Sequence, residues 1–503
     1  MENFQFLMDG FGTALTFKNV FAALFGAIMG LIVGAMPGLG SLTGVALLLP
    51  LTFKMDPTTG IIMLAAIYYA NMFGGSFSAI LLNIPGDSPA VMTAIDGYEL
   101  TQKGKAGKAL FAANMSSFIG GTIGIILLTL VGPALARVGL AFGPAEQAAL
   151  ILFALTSIGW LLGDDPLKGL LTTTFGIMLA TVGVDQQVGS IRFTFGSINL
   201  LSGISFIPLV IGMFGFSQVM DMMVNRPDSG SIAATKLTIR ESLLTRKEMV
   251  SILPTIFRGG FLGNFVGLLP GAGATTASFF SYILEKKVGK DKDMLGKGSL
   301  HGVAAAETAN NSAAAGAFAP LLALGIPGSG TAAVLLGGLM MWGLRPGPLL
   351  FKEAPDFVWG LIASMYVGNI MTIIMALAII PFVVNILRIP VAILTPLVAL
   401  VCIVGSYSVN NSMFDVWFMI GAGVISYLFN CYNYPVAPLL LAFVLTPRLE
   451  QSTRQAFDLS NGSVDIFFKS PIAVAFLLGI VLFTIVPVVY KKFGKKKNAA
   501  ING

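Results

Sequence analysis

Two stretches decide the reading: VGAMPGLGSLTG at 33–44 and VGLLPGAGATTAS at 266–278. Gly26, Gly30, Gly34, Pro37, Gly38 and Gly40 correspond at one constant offset to Gly259, Gly263, Gly267, Pro270, Gly271 and Gly273. Further matches follow in the same order. LLNIPGDSPA (81–90) answers LALGIPGSGTA (322–332), the apolar runs 107–137 and 356–387 correspond, and FIPLVIGMF (206–214) resembles VAPLLLAFV (436–444). The chain therefore reads as an internal repeat, with halves at about 20–222 and 257–452 and an unpaired final apolar run at 471–490.

The composition says where this repeat sits. Of 503 residues, 55% are hydrophobic and only 11% charged, against about 25% charged in a soluble domain. Mean hydropathy is +0.84. So few charges cannot cover a soluble surface, so the chain is expected to cross a membrane many times at about 20 residues per crossing. The candidate spans and part-spans are 18–36, 41–53, 60–84, 107–137, 145–163, 167–183 and 203–223. After the polar linker come 250–269, 271–284, 302–326, 330–344, 356–387, 391–405, 414–430, 433–446 and 471–490. Several are too short to span and many are cut by Pro-Gly, as where broken helices line a cavity. The expected class is an all-α polytopic membrane protein with two inverted-topology repeats, broken helices or re-entrant hairpins, and one extra C-terminal helix. Its divisions are a first transmembrane repeat (1–223), a polar cytoplasmic linker (224–249), a second repeat (250–452), and a loop, final helix and basic tail (453–503). The N-terminus has no basic start or clean cleavage site, so no removable signal peptide is expected.

Charge sets the orientation. Lys491, Lys492, Lys495, Lys496 and Lys497 place the C-terminus in the cytoplasm, and Arg226, Lys236, Arg240, Arg246 and Lys247 do the same for the linker. An even number of crossings then separates linker from tail. Removing the last helix leaves an odd number per repeat, so the repeats run in opposite directions. Arg448, Arg454 and Lys469 fall in a segment read as an outer loop. The net charge of +6 marks topology and not nucleic-acid binding.

Two cysteines and one histidine exclude a disulfide framework, a thiolate zinc cluster and any multi-histidine metal site. A Pro-Gly break inside a membrane frees backbone N–H groups and points the positive end of the next helix at the gap, which suits an anion such as a carboxylate. Hence Pro37, Gly38, Gly40, Ser41, Thr43, Pro270, Gly271, Gly273, Thr275 and Thr276 are candidate substrate-binding positions. Asn83, Asn310, Asn311 and Ser329, beside the second pair of reversals, join them, with Ser88, Thr331 and Asn71 nearby. The competing reading is packing: glycines every fourth residue let helices approach closely, and membrane amides bond to neighbouring helices. Asp87 and Glu307, carboxylates at membrane depth, are candidates for ion coupling. Asp87 also reads as a helix N-cap or turn residue. Arg345, Asp164, Asp165, Lys103, Lys105 and Lys108 read as exposed turns and loops.

GLIVGAMPGLGSLTGVALLLPLTF, LLNIPGDSPAVMTAIDGY, FVGLLPGAGATTASFFSYILEKK and GVAAAETANNSAAAGAFAPLLALGIPGSGTAAVLLGGL together resemble the large membrane subunit of the tripartite tricarboxylate transporter family. The resemblance covers nearly the whole chain; AAAETANN departs from it, since relatives often carry proline before the glutamate. It implies a multi-pass protein of the bacterial inner membrane that forms the path of a secondary transporter importing a carboxylate. It also implies a periplasmic substrate-binding protein and a small membrane subunit as partners, sodium or proton as coupling ion, and no cofactor. The lipid bilayer surrounds the chain, and a homodimer is left open. No Gly-Lys-Ser/Thr follows a glycine run, in keeping with a gradient-driven system. The alternatives are an anion channel or an intramembrane enzyme. An enzyme would need a Ser–His, metal or paired-aspartate constellation; His301 has no second histidine, and Asp87 with Asp96 sits in no catalytic signature.

Overall fold

Glycine spacing determines how the helices lie. The structure is a computed structural model that describes residues 2–161, 166–185, 187–224, 242–383, 387, 390–482 and 484. The helices used below are α1 (Glu2–Ala14), α2 (Phe17–Ala35), α3 (Ser41–Leu48), α4 (Pro57–Leu82), α5 (Val91–Gln102), α6 (Ala106–Gly139), α7 (Pro144–Leu161), α8 (Pro166–Ala180) and α9 (Phe206–Val224). After the linker come α10 (Arg246–Gly267), α11 (Gly273–Val288), α12 (Leu300–Gly316), α13 (Phe318–Leu324), α14 (Gly330–Met341), α15 (Pro355–Ile379), α16 (Val391–Asn410), α17 (Met413–Cys431), α18 (Ala437–Leu459) and α19 (Pro471–Leu482). Among the described residues, 8 helices are long and apolar enough to cross a membrane. The protein is an all-α polytopic membrane protein.

The chain forms two compact units. The first comprises 1–137 and 205–428. Within it, α2 lies along α4 on Gly26, Gly30 and Gly34, where an added Cβ would come within 2.5, 2.5 and 2.3 Å of the carbonyl oxygens of Met63, Ile67 and Asn71. The same geometry recurs between α10 and α12, where Gly263 and Gly267 would meet the carbonyl oxygens of Ala309 and Ala313 at 2.4 Å each. Backbones this close leave room for hydrogen only. Helix α4 is apolar on every side, and its most apolar stretch is wholly buried, as expected of a helix without a polar face.

Helix α15 fixes the two ends of this unit. Gly360, near its start, faces Thr13 and Thr58, whose methyl groups would lie 3.4 and 3.6 Å from a Cβ added there, close to where Asn19, Asp56 and Thr59 join the starts of α2 and α4. Ile380 and Val383, beyond its end, pack with Leu100, Ala109, Val303, Leu244 and Leu300, where α10 and α12 begin. At about 1.5 Å per residue the two ends are roughly 30 Å apart. The short part-spans 41–53 and 271–284 fold as α3 with a following 3-10 turn (Leu49–Thr52) and as α11. Helix α9 carries a π-helical stretch at Ile211–Phe216, which the sequence reading did not foresee.

The second unit comprises 138–204 and 429–503. Gly176 of α8 packs on the Leu439 carbonyl of α18. One expectation needs correcting here: Arg448 and Arg454 lie not in a loop but on the second half of α18. That half is amphipathic, burying Ser452 and Ala456 and pairing Arg454 with Glu450 at 2.5 Å one turn away. It also holds a small antiparallel hairpin, β1 (Gly183–Val184) with β2 (Ile191–Arg192), through Arg454–Asp185 at 2.6 Å and Arg192–Glu450 at 2.8 Å. Arg454 keeps the Asp185 carboxyl well below the usual carboxylate range, helped by the Gln187 amide. Asp164, Asp165, Arg226, Lys236, Arg240 and the lysine tail lie outside the described residues.

Candidate functional site

Four chain reversals, all in the first unit, converge. After α2 the chain turns through Met36 and Pro37, with Gly38 at φ +88° and Gly40 at φ +22°; a residue with a Cβ would be strained in both places. After α10 it turns through Pro270, with Gly271 at φ +77° and Gly273 at φ +61°. The second pair of reversals also matches in detail. α4 ends on Asn83 in the left-handed conformation (φ 59°), α13 ends on Gly325 in the same conformation (φ 69°), and each is followed by Pro-Gly. Asp87 then caps the 3-10 turn Ser88–Ala90, and Ser329 caps α14 by accepting from the Ala332 N–H.

These turns touch each other. The Ser41 and Thr331 hydroxyls lie 3.0 Å apart across 290 positions of sequence, and Tyr68 OH lies 3.1 Å from Ser329 Oγ. Ser278 Oγ donates to the Pro89 carbonyl at 2.9 Å. The Gly40 N–H donates to the Gly86 carbonyl, while the Ser41 N–H donates to Asp87 Oδ2 at 2.9 Å. The N-cap reading of Asp87 is thus realised: its other oxygen accepts from the Ser88 N–H at 2.8 Å. Thr43 spends its hydroxyl on the Phe214 carbonyl, at 3.4 Å, within the π-helical stretch. Thr276 is half-buried and Thr275 exposed. Among the tip glycines, Gly40 donates its amide to Gly86, whereas the amides of Gly38, Gly271 and Gly273 have no backbone partner among the described residues. The segments 33–44, 266–278 and 325–332 contain no charged residue, and 83–90 contains only Asp87.

Glu307, fully buried on α12, lies in a polar pocket of its own. Thr93 of α5 donates to one carboxylate oxygen at 2.5 Å and Ser117 of α6 to the other at 2.9 Å. Among the described residues no lysine, arginine or histidine pairs with it. Within one turn of it on α12, the Thr308 hydroxyl and the side-chain carbonyls of Asn310 and Asn311 have no protein partner, and on α4 and α6 the same is true of both amide atoms of Asn71 and Asn114 and the hydroxyls of Ser78 and Ser116. Buried polar atoms are nearly always satisfied, so a concentration of orphans marks a place for water or a ligand. The sequence reading found Asn71, Asn310 and Asn311 but missed Thr93, Ser117 and Asn114, which carry no distinguishing local signal.

Asp96 has a different fate. It accepts from the N–H groups of Gly296, Gly298 and Ser299 at 2.9, 2.9 and 2.8 Å and from Tyr282 OH at 2.8 Å. All its capacity goes into pinning the loop before α12, so it is no partner for Asp87. His301 shares the Thr255 hydroxyl at 2.9 Å beside the buried Glu285, which Arg258 pairs at 2.6 Å. Arg345 is exposed in its loop.

The sequence profile of the tripartite tricarboxylate transporter TctA family matches residues 20–441, including all four reversals. The chain belongs to this family. A TctA family protein is a membrane subunit of a tripartite transport system, so transport with partner subunits is its class of function. It is 39% identical over 489 residues, 97% of each chain, to an Agrobacterium vitis protein described as an uncharacterized 52.8 kDa protein in the TAR-I ttuC' 3' region. A second A. vitis protein, from the TAR-II ttuC' 3' region, is 41% identical over 224 residues, 44% of this chain and 92% of its own. No solved structure matches.

Proposed function

We propose that this TctA protein is the translocation subunit of an ion-gradient-driven importer of tricarboxylates or related carboxylates in the bacterial inner membrane. It works with a periplasmic binding protein and a small membrane subunit. The observation that carries the reading is the convergence of four Pro-Gly reversals from both halves, free of lysine and arginine and with Asp87 as their one charged residue, joined by Ser41 and Thr331. The anion is held there by dipoles: the amides of Gly38, Gly271 and Gly273 and the hydroxyls of Ser41, Thr275 and Thr276, joined by Thr43 when it exchanges its long bond to the Phe214 carbonyl for the substrate. Pro37, Gly40, Pro270, Asn83 and Ser329 shape and cap the reversals. Neutral donors suit a carrier, because a fixed buried cation would bind its cargo too tightly and carry its own desolvation cost.

The two halves are inverted repeats, with the cytoplasm at the end where α10 and α12 begin. Three facts support this. The glycine seams of α2 on α4 and of α10 on α12 correspond. The first seam starts at the Gly360 end and the second at the Ile380 end. Lys103, Lys105, Lys108, Lys286, Lys287, Lys290, Lys292, Lys297, Arg246 and Lys247 all belong to segments at the second end, as the positive-inside rule asks.

Asp87 and Glu307 couple the ion. Asp87 already occupies the Ser41 N–H, so an anionic substrate reaching that tip meets a like charge unless a sodium ion or proton neutralises it. Glu307 lacks a counter-charge among the described residues and is held by the Thr93 and Ser117 hydroxyls and the Asn310 side-chain amide, so an ion arriving there meets a carboxylate and two hydroxyl oxygens. The test is citrate uptake in cells expressing all three subunits, with the sodium and proton gradients varied separately. Asp87→Asn and Glu307→Gln are expected to uncouple uptake from the gradient. Wild-type ion dependence and rate in both variants would return the two carboxylates to a structural role.

A further inference from the structure

At the lysine-rich end of the first unit lies a cavity of about 420 Å³ that the transport path does not use. Four segments meet around it: the α5–α6 turn with Lys105 leading into the first turn of α6 with Lys108, the start of α10 with Glu248 and Ser251, the α11–α12 loop with Lys290 and Asp291, and the first turn of α12 with Ser299 and His301. Lys108 is half-buried on the helix and not in a solvated loop as its charge suggests. Of its two acids, Glu248 alone has a cation partner among the described residues. Glu248 is paired with Lys108 at 2.6 Å and accepts from the N–H and hydroxyl of Thr245 at 2.8 Å each. Asp291 accepts the Ser299 hydroxyl at 2.6 Å. Lys105 and Lys290 make no ion pair among the described residues. Two lysines without an ion-pair partner, both on exposed positions, thus line one space, together with the start of the 17-residue helix α12. Asp96 fixes this wall by holding the N–H groups of Gly298 and Ser299.

We infer that this cavity binds a small, multiply charged oxyanion, bridging Lys105 of the first half to Lys290 and the α12 N-terminus of the second. The volume lies within the range of small-molecule sites and exceeds what a single phosphate group needs, so phosphate esters and polycarboxylates both fit. A free anion and an anionic lipid headgroup would present the same chemistry. Because the bridge ties segments of the two halves, occupancy stiffens this end of the unit.

The experiment uses the purified full chain in nanodiscs of zwitterionic lipid, followed by thermal unfolding while potassium phosphate or potassium citrate is titrated. Potassium chloride at equal ionic strength serves as the control. Stabilisation by phosphate or citrate beyond chloride is expected. In the double variant Lys105→Gln/Lys290→Gln its midpoint concentration should rise tenfold or more, and in Lys286→Gln, outside the cavity, it should not move. If only nanodiscs containing anionic phospholipid stabilise the protein, and the double variant loses that effect, the site stands with a headgroup as occupant. Equal midpoints in wild type and double variant, or stabilisation matched by chloride, overturn the site. No partner subunit or gradient is involved, so the outcome is independent of whether the transport reading holds.

Discussion

The close approach of α2 to α4, and of α10 to α12, can be broken one methyl group at a time. In Gly34→Ala the new Cβ would lie 2.3 Å from the Asn71 carbonyl oxygen, and in Gly267→Ala 2.4 Å from that of Ala313. Ordinary contact begins near 3.4 Å, so each seam must open by about 1 Å. The obstacle is backbone, which cannot rotate aside as a side chain would. Overpacking of this kind costs about 1–3 kcal/mol, and opening a seam also separates its neighbouring glycine contacts. Gly259→Ala meets Ser281 Oγ at 3.0 Å and the Ala305 oxygen at 3.3 Å, so it should cost less. Gly421 in α17 has nothing within 4 Å, and Gly421→Ala should be neutral or gain up to about 1 kcal/mol from helix propensity. Thermal unfolding of the purified variants in one detergent should rank Gly421→Ala at or above wild type, Gly259→Ala lower, and Gly34→Ala and Gly267→Ala lowest. Wild-type melting for the last two would refute the seams.

The loop before α12 should depend on Asp96. Asp96→Ala leaves three backbone donors without their acceptor, of which the buried Ser299 N–H costs about 1–3 kcal/mol and the more exposed Gly296 and Gly298 less, and trypsin should then cut faster between Lys290 and Lys297; Asp96→Asn, which keeps a carbonyl, should be milder. Asp56 supplies a pH dependence. Burial would raise its carboxyl, but Lys18 and Thr59 together bring it down to about 2. A lowered value means that its stabilisation is complete above about pH 4 and is lost as pH falls from there toward 2. Lys18→Met should therefore flatten the acid-side loss of stability over that window and lower melting at pH 7 by the same amount, a small one because the pair is exposed.

What could be read from the sequence was what repeats along it. The glycine and Pro-Gly spacing locates both seams and all four reversals, because a backbone that must bend or touch leaves few residue choices. The apolar excess gives the membrane, and a carboxylate such as Glu307 stands out against it. What joins distant segments left no trace: Thr93 and Ser117 reach Glu307 from 214 and 190 positions away, and ordinary threonines and serines look alike until folded. The second half of α18 was read as loop because its charges signal solvent, yet Arg454, Glu450 and Asp185 satisfy one another on a helix. Asp96 and Asp87 are indistinguishable by type, and only their neighbours separate a loop anchor from a cap at the Pro-Gly tips.

The central claim is that the paired Pro-Gly tips hold a carboxylate. Uptake of labelled citrate, in cells carrying the binding protein and small subunit at matched membrane expression, tests it most directly. A hydroxyl bonded to a charged group contributes about 1.5–3 kcal/mol, so Thr43→Val and Thr276→Val should each lower uptake about tenfold or more. Gly38→Ala and Gly271→Ala should lower it further, since both positions hold positive φ. Near-normal uptake and affinity in all four variants would mean that the tips are packing elements and that the anion is carried elsewhere.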